Sequence, residues 1–186
     1  MPGKSRTGKE ESMLIRIIYA ISEDPEELEY FDSSSYEEKT ELLNACYAEN
    51  MPKEQSEREI RNLLAEIRNT GITAVYDPDT DICPNPDTAD SGFRFITKKD
   101  LQQAKNRYFS KVLEEAREKV VCAHPQWLAC DNELFNSLKE ILKGGDNLYV
   151  LQTEYGEELL SFHDMIRQLK PDTVYYIAGT VVALRA

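Results

Sequence analysis

The sequence predicts an α+β fold. Strand-like and helix-like segments alternate, yet several helices follow one another with no strand between them, which disfavours a regular doubly wound sheet. The length of 186 residues suits a single domain with a core of its own. A composition that is 41% hydrophobic and 30% charged is globular rather than disordered. The expectation is a flexible lead over residues 1–12, then one domain over 13–186. Its sheet is mostly antiparallel, with about four to six strands packed against four or five helices.

Met13–Ser22 alternates like a strand, with Leu14, Arg16 and Ile18 on one face and Ile15, Ile17 and Tyr19 on the other. An arginine there points to an edge strand or an exposed face. Glu23–Ser34 reads as an acidic linker. Ser35-Tyr36-Glu37-Glu38 has the form of a capping box and predicts a helix to about Glu49, with Leu42, Leu43, Cys46 and Tyr47 inward. Pro52 then opens a helix to about Asn69, with Ile60, Leu63, Leu64 and Ile67 on its buried stripe and Gly71 as its cap. Ile72–Tyr76 and Phe93–Ile96 read as strands around the loop Asp77–Gly92. Thr97 is the expected cap of a long helix with Leu101, Tyr108, Val112, Ala116 and Val120 inward. Asp131 opens another helix, carrying Leu134, Phe135, Leu138, Ile141 and Leu142, which Gly144-Gly145 ends. Asn147–Glu154 is a strand, Tyr155-Gly156 a turn into Glu157–Leu160, and Ser161 the cap of a short helix. Thr173–Leu184 is the strongest strand pattern in the chain.

No apolar run approaches the roughly 20 residues of a membrane span, and no signal-peptide core follows the basic start. The reading is cytoplasmic, with Cys46, Cys83, Cys122 and Cys130 as reduced thiols. The surplus of 34 acidic over 22 basic residues gives a net charge of −12. That charge repels phosphate and disfavours direct binding to nucleic acid. The most basic stretches, Lys4–Lys9 and the Lys98–Lys111 helix face, are sparse.

Chemistry-bearing patterns are weak. Asp77, Asp79 and Asp81 alternate as in a calcium loop, but Ile82 stands where glycine is needed and Thr88 where a glutamate is needed, so a turn explains them better. Cys122, His124 and Cys130 lack the spacing of a zinc site. The enzyme alternative is a cysteine nucleophile, Cys122 or Cys130, activated by His124 or His163, or a metal centre around Cys122, His124 and Cys130. No cofactor is expected.

Charge pattern remains. Glu23, Asp24, Glu26, Glu27, Glu29, Asp32, Glu37, Glu38 and Glu41 crowd one segment, with Tyr30, Phe31 and Tyr36 set among them. Carboxylates can replace phosphates, and rings can anchor, on a basic surface that handles nucleic acid. Glu114, Glu115 and Glu118 form a second acidic run. The plainer explanation is two solvated faces, with Tyr30 and Phe31 tucked under as a staple. In size and charge the chain resembles the small acidic inhibitors of mobile elements, the anti-restriction and anti-CRISPR proteins. The resemblance is one of composition and implies no residue. The leading expectation is a binding protein without catalysis, directed at a basic protein partner. A third reading is a subunit of a homo-oligomer, paired through the C-terminal strand.

Overall fold

A computed structural model describes residues 13–74, 93–122, 132–153 and 156–186. Among them, seven strands form one mixed sheet, with four α-helices and two 3₁₀ helices around it. The fold is α+β, and five of its six strand pairings are antiparallel. The lead over residues 1–12, the loop 77–92, His124 and Cys130 lie outside the described residues.

The central strand is β1 (Leu14–Ser22). On one side it pairs in parallel with β4 (Leu148–Thr153), and β5 (Gly156–Leu160) returns antiparallel beside β4. On the other side runs the C-terminal segment, divided into β6 (Val174–Ile177) and β7 (Val182–Arg185). Beyond β7 lies β2 (Tyr47–Asn50), and beyond β6 lies β3 (Phe93–Ile96). Arg16 therefore belongs to an inner strand, although at this residue only β7 is paired with it, since the β4 ladder starts at Ile18. Arg16 is half-buried, and its Nε is buried with no hydrogen-bond partner among the described residues.

The expected strand Thr173–Leu184 is interrupted. From Ile18↔Val182 to Ile21↔Ile177 the chain advances three residues on β1 against five on the C-terminal segment. The bulge redirects the backbone toward the start of α1 (Lys53–Asn69): Val181 N–H donates to Ser56 Oγ at 3.3 Å, and its carbonyl accepts from Met51 N–H at 2.8 Å. β6 and β7 are paired on both sides, so the last strand offers no edge to a second copy.

The expected helix from Ser35 is replaced by a 3₁₀ helix, Ser33–Lys39, which starts earlier because the Asp32 carboxylate accepts from Ser34 N–H at 2.8 Å. Asn44, at φ +54°, turns the chain out, and Tyr47–Asn50 pairs with β7 instead of continuing a helix. Leu43 is buried as expected, whereas Leu42, Cys46 and Tyr47 are exposed. The backbone groups of Tyr47–Asn50 find ladder partners on β7, and that pairing overrides local helix propensity.

The two faces of the sheet carry separate clusters. Ile17, Tyr19 and Ile21 meet α1, the first half of α2 (Leu101–Cys122) and α4 (Phe162–Gln168). Ile60, Leu63, Leu64 and Ile67 of α1 are buried at the expected spacing. Thr97 does not cap α2; its buried hydroxyl donates to Lys170 O at 2.6 Å and accepts from Thr173 N–H at 3.0 Å. Lys105 Nζ donates to Arg167 O and Leu169 O, both at 2.7 Å, and so closes the C-terminal end of α4. Ser161 caps α4 as expected. The other face, Ile18, Ala20, Val150, Val182 and Leu184, has no α-helix over it among the described residues. The excursion between β1 and β2 covers it with Leu28, Phe31, Tyr36 and Leu43. No helix among the described residues is long and apolar enough to cross a membrane.

Candidate functional site

The acidic segment is the outer layer of that second face. It consists of the 3₁₀ turn Pro25–Leu28, the 3₁₀ helix Ser33–Lys39 and their connections. Phe31 and Tyr36 point inward, buried and edge-to-face at 5.9 Å, and are not available to a partner. Tyr30 points outward and is 84% exposed. The segment therefore combines an apolar underside, which fixes it to the sheet, with a charged upper side.

The carboxylates divide into two groups. Some hold the segment together. Glu23 pairs with Lys170 at 2.8 Å. Asp24 accepts from Glu26 N–H at 2.9 Å, at the start of the first turn. Glu27 accepts from the hydroxyl of buried Ser22. Asp32 starts the second turn, and its hydrogen bonds from the Ser34 hydroxyl and backbone hold its carboxyl below the usual carboxylate range. The others, Glu26, Glu29, Glu37, Glu38 and Glu41, are exposed and have no cation within ion-pair distance among the described residues. Glu114, Glu115 and Glu118 are likewise exposed on α2.

The enzyme alternative gains little from the geometry. Cys122 is exposed at the end of α2, and its proposed companions His124 and Cys130 lie outside the described residues. No group of three or more metal-ligating side chains converges among the described residues. His163 is buried rather than poised at a surface. Its Nδ1–H donates to Leu142 O at 2.9 Å, at the end of α3 (Asn132–Lys143). That fixes Nε2 as an acceptor, and it takes the Tyr108 hydroxyl of α2 at 2.9 Å. Burial, the largest influence, holds the imidazole below its ordinary pKa, and it pushes the Tyr108 phenol up to about 12. His163 is thus a neutral brace joining α2, α3 and α4.

Sequence reasoning missed this brace because its three members are far apart in the chain. The one local signal was Gly144-Gly145 at the end of α3; in the structure both have positive φ, and a Cβ on Gly144 would stand 2.7 Å from the His163 ring. An open groove of about 760 Å³ lies between the end of α1 and α2. Lys98, Arg107 and Lys111 line it with Glu115, and Arg107 is shared with Asp100 at 3.9 Å.

Comparison with protein-family models, with curated proteins and with solved structures finds no match to the chain.

Proposed function

We propose that the protein is a binding module without chemistry of its own. The segment Glu23–Glu41 docks on a basic, nucleic-acid-handling surface of a protein partner and acts there as an inhibitor or regulator. One observation supports this reading above the others. Glu26, Glu29, Glu37, Glu38 and Glu41 stand outward with no cation within ion-pair distance among the described residues, beside exposed Tyr30, on a layer anchored from below by Leu28, Phe31, Tyr36 and Leu43. An interface of this kind gains orientation and association rate from its charges, and local affinity from a central ring. The mode of action is that of anti-restriction and anti-CRISPR proteins, which the chain resembles in size and charge alone.

The test is affinity capture from a lysate at low salt and at about 0.5 M salt, where the screening length falls to a few ångströms. A nucleic-acid-processing protein should be retained in the first condition and released in the second. The variant to compare reverses Glu26, Glu29 and Glu38 to lysine. Glu27 is left alone because it satisfies buried Ser22. The triple variant should lose capture with its circular dichroism and unfolding midpoint unchanged. Undiminished capture by a folded variant, or no specific capture at either salt, would refute the proposal.

A further inference from the structure

The long helix α2 spans about 33 Å at 1.5 Å per residue, but none of its side chains beyond Val112 is buried. Leu113 and Val121 are 62% and 72% exposed. α3 packs back along this free half. The helix is amphipathic, yet no side chain described on it is buried, and Phe135 is 57% exposed. A 12-residue helix is marginal in water unless its apolar face is covered. The hairpin is nonetheless firmly placed, because the His163 brace fixes the end of α3 against the middle of α2.

Its charge is unusual for this chain. Beyond Phe109, α2 sets Lys111, Arg117 and Lys119 against Glu114, Glu115 and Glu118. The sequence of α3 carries two basic and two acidic residues. In a protein of net charge −12, these two helical stretches carry no net charge. Most like-with-like contacts of this molecule meet repulsion, and this one does not. Two helices with exposed apolar stripes and mixed charges form half of a four-helix packing, which a two-fold axis completes.

We infer that the α2–α3 hairpin is the interface of a homodimer, in which Leu113, Val121 and Phe135 of each copy pack against the hairpin of the other. The dimer leaves both acidic segments outward.

Sedimentation or light scattering over a range of concentrations decides the matter. The protein should reach twice its 21.4 kDa chain mass and dissociate on dilution. Leu113→Glu with Val121→Glu should stay monomeric at every concentration with an unchanged circular-dichroism spectrum. Leu42→Glu, on the acidic segment, should still dimerise. If the double variant fails to fold, hydrogen exchange of wild-type α3 replaces it, with protection expected to rise with concentration. A wild-type protein that is monomeric at its highest soluble concentration overturns the inference, as does a folded double variant that still dimerises. Reversal of Glu26, Glu29 and Glu38 leaves the dimer intact, so this inference and the docking proposal fail separately.

Discussion

Replacing Gly144 by alanine measures how closely α3 is seated on the body of the protein. Gly144 and Gly71 have nearly the same left-handed backbone, φ +77° and φ +75°. A Cβ on Gly71 meets nothing within 4 Å, so Gly71→Ala should cost only the backbone strain, roughly 1–2 kcal/mol. A Cβ on Gly144 would lie 2.7 Å from His163 Cδ2, 2.8 Å from Nε2 and 2.9 Å from Phe162 Cδ1. Neither ring has room to swing. His163 is held by Leu142 and Tyr108, and buried Phe162 packs on Tyr149 at 5.5 Å. Overpacking of this kind adds about 1–3 kcal/mol, which places Gly144→Ala at roughly 2–5 kcal/mol in total. Urea unfolding of the two variants and the wild type gives both values. Agreement of the two variants to within about 0.5 kcal/mol would refute the close seating of α3 on His163.

Two further outcomes follow from buried polar groups. Burial holds the pKa of His163 below its ordinary 6.5, so the unfolded chain takes up a proton that the folded chain resists. Its contribution is complete above pH 6.5 and is lost as pH falls toward the folded value. Unfolding free energies from about pH 7.5 to about 5.5 should therefore drop more steeply in the wild type than in His163→Gln, and parallel slopes would contradict the buried neutral imidazole. Thr97→Val keeps the volume but removes the hydroxyl that joins Lys170 O and Thr173 N–H. It should cost about 1–3 kcal/mol in the same urea assay, and a value near zero would mean that the bridge is dispensable.

What the sequence revealed of this fold depended on how local each determinant was. α1, with Pro52 before it, a four-residue apolar stripe and Gly71 after it, holds all its signals in one stretch, and so does α4 with Ser161. Tyr47–Asn50 becomes a strand because β7, over a hundred residues later, offers it a ladder, and no local propensity records that. The break after Ile177 has the same origin, since Val181 turns toward Ser56 and Met51. Charge was partly legible for a different reason. Ionised carboxylates resist burial, so the outward direction of Glu26, Glu29, Glu37 and Glu38 could be anticipated. Phe31 turns inward as the plainer staple reading has it, whereas the inward direction of Tyr36 could not be read, because a 3₁₀ segment lacks the 3.6-residue period by which a buried face is recognised.

The acidic layer also raises a question of cost. Covering the second face of the sheet requires Leu28, Phe31, Tyr36 and Leu43 on the underside and only polar groups above. Neutral serines would serve that purpose, as Ser34 and Ser35 do nearby. Adjacent carboxylates with no counter-charge among the described residues instead repel one another, by up to about 1 kcal/mol per pair at 4 Å in water and less at longer range. The fold bears that repulsion in the free protein. A cationic surface would relieve it on contact, so under the proposed docking part of the binding free energy would be present in the unbound layer as unfavourable charge crowding. The proposed dimer would add a second layer on the same particle. A partner with two basic patches, or a partner itself dimeric, would then be held by both layers at once, at an effective concentration fixed by their spacing.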